Sequence, residues 1–260
     1  ISDIFSQNFD DNKFELIIVD DHSDDNTINV LNSQKDIYKS LTVISLDDSL
    51  NGKIDAIKRG VSESRGDIIL CTDADCRVGP NWIRTIQKYF INSNTMFVSG
   101  PVENKDVYGI FYKFQSLEMI SLVTSSASAI SGLDPIFCNG ANLAFRKSIY
   151  QRITSQERAG FITDDVSLLF YVHNRYPEGI SFIKEYDAVI TTKQPSSFIS
   201  YIGQRLRWIH GFRNESSFTS RYIAIVVFFM NLLVSVSSLS VFVDLMIINL
   251  NYPHIYLGFY

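Results

Sequence analysis

Several short acidic and basic motifs follow apolar runs, and each has a residue content suited to handling a phosphate-bearing substrate. Asp73-Ala74-Asp75 sets two carboxylates one residue apart, so both can converge on one hard cation. Magnesium and manganese take oxygen ligands and often bind through one or two carboxylates plus substrate phosphates. Such an ion would neutralise charge growing on a leaving diphosphate; taken alone, the triplet also reads as a solvated acidic turn. Asp20-Asp21-His22-Ser23 can hydrogen-bond the base or ribose of a nucleotide, or simply cap a helix with surface acids. A calcium-binding EF-hand loop started at Asp21 is excluded, because Asn26 stands where the turn glycine is needed and Asn32 where the final Glu is needed.

Three further motifs carry complementary chemistry. In Asn51-Gly52-Lys53 the glycine permits close backbone approach and the lysine offers a cation to phosphate, though an ordinary loop has the same composition. Thr163-Asp164-Asp165 follows Phe161 and Ile162 and offers a carboxylate base for an acceptor hydroxyl, or a helix N-cap pair ahead of Val166–Val172; one carboxylate can do both. In Gln204-Arg205-Leu206-Arg207-Trp208 an arginine can fork a diphosphate and the tryptophan can stack on a sugar ring. The same residues suit a basic, aromatic belt at a membrane interface.

The elements that must position these motifs alternate in type. Apolar runs of strand length are predicted at Phe14–Val19, Leu41–Leu46, Asp67–Cys71 and Thr95–Gly100, separated by helices over Ser23–Leu31, Ile54–Ser64 and Pro80–Phe90, the last with proline near its start. Ser23 or Asp24 is the expected cap of the first helix. Continuous apolar strands spaced by helices imply a mostly parallel sheet covered on both faces, in which ligands gather at the carboxyl ends of strands. Asp20-Asp21 and Asp73-Asp75 both sit at such ends. Beyond Gly100, Tyr108–Leu133 reads as a helix facing the core or an acceptor, and Ile180–Thr192 as one or two strands.

Bulk properties narrow the function class. A formal net charge of −5 gives no overall bias toward nucleic acid, so phosphate recognition must be local or metal-borne. Cys71, Cys76 and Cys138 form no CxxC pair and lie near no histidine cluster, which disfavours structural zinc and a disulfide framework and suits reduced thiols in a cytosolic compartment. Tyr222–Val243 holds no charged residue and has about the 20-residue length that crosses a bilayer. Arg205, Arg207, Arg213 and Arg221 precede it and orient the preceding domain toward the cytoplasm, and Ser196–Phe212 suits the membrane surface. The chain begins at Ile1 and ends in apolar sequence, as expected of a piece of a longer protein.

Taken in this order and spacing, the motifs strongly resemble those of the family 2 glycosyltransferases, in particular the membrane-bound branch related to cellulose, chitin and hyaluronan synthases. The resemblance runs from Val19-Asp20-Asp21-His22-Ser23 through Asn51–Lys53, Asp73/Asp75 and the Cys138-Asn139-Gly140-Ala141-Asn142 loop to Thr163-Asp164-Asp165 and Gln204/Arg207/Trp208. It implies a GT-A, Rossmann-like α/β fold, a UDP-sugar donor and an inverting reaction onto a saccharide or lipid acceptor. It implies the roles as well. Asp165 is the base; Asp73 and Asp75 hold Mg2+ or Mn2+; Asp20, Asp21, Lys53, Gln204 and Arg207 hold the donor. Asn139, Gly140, Asp164 and Trp208 line the acceptor side, Trp208 also touching the donor. Asp164 stands where the family usually has Glu, and the family's first strand with its Pro-x-x-Asn-Glu turn is absent, Ile1–Phe9 matching the tail of the helix after it. The expected divisions are a catalytic domain over residues 1–195, an interfacial segment over 196–221, a transmembrane helix over 222–250 and the start of a loop or further span over 251–260. The rival readings are a sugar nucleotidyltransferase, which wants a glycine-rich, arginine-containing N-terminal loop, and a non-catalytic nucleotide-sugar-binding subunit.

Overall fold

The computed structural model describes residues 1–105, 108–132, 134–156 and 165–212, with the side chains of 154–156 and 209–212 set aside, and beyond them residues 222, 225–226, 229, 233, 236–237 and 240. The chain divides into two compact units, Ile1–Glu215 and Ser216–Tyr260. In chain order the first unit contains α1 (Ser2–Phe5), β1 (Leu16–Asp20), α2 (Thr27–Lys35), β2 (Leu41–Ser45), α3 (Gly52–Glu63), β3 (Ile68–Cys71), β4 (Arg77–Val78) and α4 (Trp82–Tyr89). These are followed by β5 (Phe97–Ser99), β6 (Val102–Asn104), α5 (Ile110–Ser131), β7 (Leu143–Arg146), α6 (Lys147–Gln156), α7 (Asp165–Arg175), β8 (Ile180–Phe182), β9 (Ile190–Thr192) and α8 (Phe198–Phe212).

The sheets are mixed. β1 and β2 pair in parallel; the central sheet runs β3-β7-β5-β8; a small sheet runs β4-β9-β6. The expectation of a mostly parallel sheet is corrected by β7, which lies antiparallel to both β3 and β5, and by the antiparallel β4-β9 pair. The physical reason is that Leu143–Arg146 returns through the middle of the sheet as a four-residue strand, too short to declare itself by periodicity. The Ile180–Thr192 stretch splits into β8 and β9, which join different sheets. The first helix begins at Thr27 instead of Ser23, because Ser23 donates its amide to Asp20 and Asp25 accepts from the Thr27 amide, which spends that loop on turns.

Alternation along β5 and β7 builds the core on both faces of the central sheet. Phe97, Leu143 and Phe145 point to one side, where Ile149, Ile153, Leu169 and Val172 from α6 and α7 cover them. Val98 and Ala144 point to the other, against Trp82, Ile86, Ile183 and Ile190. Between these layers Asn142 is completely buried. Its Oδ1 accepts from Trp82 Nε1 at 3.0 Å, and its Nδ2 donates to the carbonyls of Pro101 and Ala188 at 2.8 Å each. Gly100 must be glycine for the same reason, since a Cβ there would meet Asn142 Nδ2 at 2.4 Å.

β1 and β3 are tied at both ends without being hydrogen-bonded to each other. At their amino ends Glu15 accepts from the Arg65 amide at 2.6 Å and pairs with its guanidinium; at their carboxyl ends Asp21 and Asp73 both bond to the start of α3. The apolar residues Leu16–Val19 and Ile68–Cys71 are only half-buried, unlike those of β5 and β7. Among the described residues no helix is long and apolar enough to cross a membrane; the charge-free run that suggested a span falls largely outside them.

Asn142→Ala removes three buried hydrogen bonds and leaves their partners unsatisfied. It is expected to lower the unfolding free energy by about 2–4 kcal/mol in urea titrations with an unchanged slope.

Candidate active site

Asp21, Gly52 and Lys53 meet at the carboxyl ends of β1 and β3. Asp21 Oδ2 accepts from the Gly52 amide at 2.9 Å, so a carboxylate sits on the first free N–H of α3, where the helix dipole favours it. Gly52 takes φ +85°, a conformation that favours glycine, and this turns the chain into α3 and aims Lys53 along the sheet ends. Lys53 Nζ donates to Asp73 Oδ1 at 3.1 Å. Burial works to lower the Lys53 pKa, but the nearby carboxylates of Asp73 and Asp165 outweigh it and hold it above the ordinary lysine value. Lys53 therefore stays cationic through neutral pH, and its ion pair is lost only as pH climbs through that raised value.

Asp165 opens α7 and faces the same cation. Its neighbour across the cleft is Gly140, which lies in a turn closed by the Asn142 amide donating to the Asn139 carbonyl at 3.0 Å and by Asn139 Oδ1 accepting from the Ala141 amide at 3.0 Å. A methyl group on Gly140 would sit 1.8 Å from Asp165 Oδ2 and 3.0 Å from Lys53 Nζ. Gly140 is thus glycine because the carboxylate and ammonium occupy the space a side chain would need. The pocket is lined by Lys53, Cys71, Gly140, Tyr150 and Asp165, with Leu143, Phe145 and Leu168 forming an apolar floor.

Cys71 lies at the end of β3 within this group. Burial, reinforced by the Asp165 and Asp73 charges and opposed by Lys53, pushes its thiol up to about 12. It is a packing residue here and not a nucleophile.

Of the residues singled out by sequence, Lys53, Asp73, Gly140 and Asp165 come together, with Asp21 one bond away through Gly52 and Asn139 shaping the turn beside them. Asp20 is buried and holds the loop by accepting from the Ser23 amide at 3.3 Å, a structural task instead of an open hydrogen-bonding edge. Asp75 is exposed just beyond Asp73. Among the described residues no group of three or more His, Cys, Asp or Glu side chains could hold a metal ion. Asp164 lies outside the described residues. Gln204 and Trp208 on α8 both engage Arg205: Gln204 Oε1 accepts from it, and its guanidinium lies 4.3 Å from the Trp208 ring centroid. Arg207 is exposed. Among the described residues no hydrogen bond, ion pair or ring contact joins these three to Lys53, Asp73 or Asp165. Sequence reasoning missed the Glu118–Arg205 ion pair, which clasps α5 to α8 and could only have been found by pairing charges 87 positions apart.

A parallel β-α-β start, a mixed central sheet and carboxylates gathered at strand ends define a Rossmann-like α/β architecture with its candidate ligand site at the carboxyl ends of the strands. The family model described as "Glycosyl transferase family 2" matches residues 1–154, and the chain belongs to that family. Curated relatives include the poly-beta-1,6-N-acetyl-D-glucosamine synthases of Staphylococcus aureus and Staphylococcus epidermidis, each 24% identical over 76% of this chain. The chain spans about half their length, 47% in each case. Solved structures with the same fold include the mannosyltransferase PcManGT from Pyrobaculum calidifontis in complex with GDP-Man and Mn2+, at a TM-score of 0.57, 19% identity, and 79% of this chain against 55% of that one. Another is S. aureus TarS 1-349 in complex with UDP-GlcNAc, at a TM-score of 0.51, 13% identity, and 75% of this chain against 54% of that one.

Two outcomes test the site. Gly140→Ala is expected to leave the circular dichroism spectrum intact while displacing Asp165 and cutting turnover at least ~100-fold. In the folded chain at pH 8 the Cys71 peptide is expected to take up iodoacetamide about 1000-fold more slowly than a free thiol, and to label fully in urea, by mass spectrometry.

Proposed function

We propose that this chain transfers a sugar from a UDP-sugar to a hydroxyl of a saccharide or lipid acceptor, with inversion, at the cytoplasmic face of a membrane. The observation that carries the reading is the convergence of Asp73 and Asp165 on Lys53 beside Gly140. Asp165 accepts the proton of the acceptor hydroxyl as its oxygen attacks the anomeric carbon, and the bond from that carbon to the diphosphate breaks on the opposite side. Lys53 and the α3 amino end hold the phosphates, Asp21 and Asp20 keep the nucleotide loop in shape, and the Asn139-Gly140 turn makes the space that seats Asp165 beside Lys53. Asp73 and Asp75 supply only hard oxygen donors, which fits Mg2+ or Mn2+. When bound, the ion neutralises charge on the leaving diphosphate. Mn2+ in the PcManGT complex supports this cofactor.

UDP-N-acetylglucosamine is the first donor to test, since the curated relatives are named as N-acetylglucosamine polymer synthases and TarS holds UDP-GlcNAc. Membrane placement is supported by the charge-free Tyr222–Val243 run and the arginines ahead of it. The assignment of Gln204, Arg207 and Trp208 to the donor and acceptor is supported by the family motif they match. The interval between β1 and β3 is the natural place for one further parallel strand, supported by their half-buried apolar faces and tied ends.

A panel of UDP- and GDP-sugars, assayed for nucleotide release in vesicles with and without EDTA, checks the class and the metal together. Asp165→Asn is expected to keep UDP binding by calorimetry and to lower turnover at least ~100-fold; unchanged turnover removes Asp165 from the role of base.

A further inference from the structure

Among the described residues His22 is the one non-glycine with a positive φ, at +58°. That left-handed conformation is uncommon outside glycine, and it persists where surrounding contacts hold it. Here the contacts are specific. His22 Nδ1 lies 3.2 Å from Asp21 Oδ1, and its Nε2 lies 3.9 Å from Asp48 Oδ1. A carboxylate only accepts, so Nδ1 carries a proton and donates it to Asp21. Asp21 is thereby held at both oxygens: Oδ1 by His22, and Oδ2 by the Gly52 amide at 2.9 Å.

Backbone bonds fix the frame around this contact. The Leu46 amide donates to the Asp20 carbonyl at 2.9 Å, which ties the end of β2 to the end of β1, and the Leu50 amide donates to the Asp47 carbonyl at 2.8 Å, which turns the chain toward α3. Just ahead of Gly52, the Asn51 amide donates to Asp55 Oδ2 at 3.2 Å. The Asp48 side chain is fully exposed and its contact with His22 is the long one, so it adds little. The route from the imidazole to the cleft is short. His22 holds Asp21, Asp21 holds the Gly52 amide, and Lys53, the next residue, donates to Asp73 Oδ1 at 3.1 Å. With the ring removed, Asp21 keeps a single tether and its half-exposed carboxylate is free to take another rotamer, away from α3.

We propose that His22 is a positioning residue for the nucleotide-sugar donor: it locks the Asp21 carboxylate against the start of α3 and so sets where the Lys53 ammonium meets the diphosphate. The proposal rests on the donor-binding reading above and extends it to a residue outside the pocket. His22 acts through Asp21 and touches no reacting atom. A turn that needed only a left-handed residue would be met by glycine without strain. The imidazole supplies what glycine lacks, a donor aimed at Asp21. Strain accepted for the sake of a directed hydrogen bond beside a phosphate site is the mark of a positioning role.

The test measures the Kd for UDP by calorimetry and the midpoint of thermal unfolding, on the full chain in phosphatidylcholine vesicles. His22→Gly relieves the strain, so the midpoint is expected to hold or rise while the Kd rises at least ~5-fold. His22→Asn suits a left-handed turn and puts an amide N–H where Nδ1 stands, so it is expected to bring the Kd back to within about twofold of the unaltered chain. The double variant Asp21→Ala/His22→Gly is expected to bind UDP as Asp21→Ala does alone, because both changes break one linkage. An unchanged Kd in His22→Gly overturns the positioning role and leaves the donor reading standing. Losses that add in the double variant overturn the route through Asp21. A midpoint that falls in His22→Gly, or a Kd that His22→Asn does not restore, assigns the ring to another task and overturns the proposal. An unaltered chain that binds neither UDP nor GDP overturns the donor reading and the proposal together.

Discussion

Two carboxylates on separate elements, Asp73 past the end of β3 and Asp165 at the head of α7, bear on a single ammonium, that of Lys53. Like charges brought into one partly desolvated cleft repel, and the Lys53 ammonium beside both carboxylates offsets that repulsion. The Lys53–Asp73 pair also ties the start of α3 to the loop after β3, so the charge balance and the backbone geometry of the cleft depend on one contact.

The sheet register delivers this geometry. Cys71 is paired with Leu143 across β3 and β7, so the chain leaving β3 toward Asp73 runs beside the chain entering β7 from Gly140. The antiparallel direction of β7 matters for function: it brings the Asn139-Gly140 turn to the edge where the parallel strands end. A parallel strand in that position would have put the turn at the opposite edge. Asn142, buried between Trp82, Pro101 and Ala188, fixes the turn from below, and the turn in turn leaves a methyl-sized vacancy that Asp165 fills.

This also explains what the sequence made legible. Lys53, Asp73, Gly140 and Asp165 could be nominated because each follows a local signal: an apolar run, a glycine turn or a helix start. Their meeting was expected from the family resemblance and not from local pattern, since it depends on β7, whose four residues Leu-Ala-Phe-Arg carry no periodicity that separates a strand from the start of α6. The two-residue strand Arg77–Val78 and the division of Ile180–Thr192 between two sheets were hidden for the same reason. The start of α2 was misjudged because Asp20 and Asp25 draw the intervening amides into loop hydrogen bonds, a competition that side-chain acceptors win over helix when a buried carboxylate anchors the loop. Glu118 and Arg205 are each ordinary helix residues until their helices pack.

The small sheet β4-β9-β6 supplies the remaining link, between the carboxylate cluster and the outer helices. β4 starts two residues beyond Asp75 and pairs with β9; β9 pairs with β6, and Asn104 at the end of β6 donates its side-chain amide to the Gln115 carbonyl of α5 at 3.0 Å. Gln115 in turn donates to the Pro195 carbonyl just ahead of α8, and Gln194 donates to Ser116. A continuous run of hydrogen bonds thus joins the Asp73-Asp75 loop to the α5-α8 pair. Hydrogen-bonded strands and the buried Gln115 side chain thus tie the position of the carboxylates to that of α5 and of the segment entering α8.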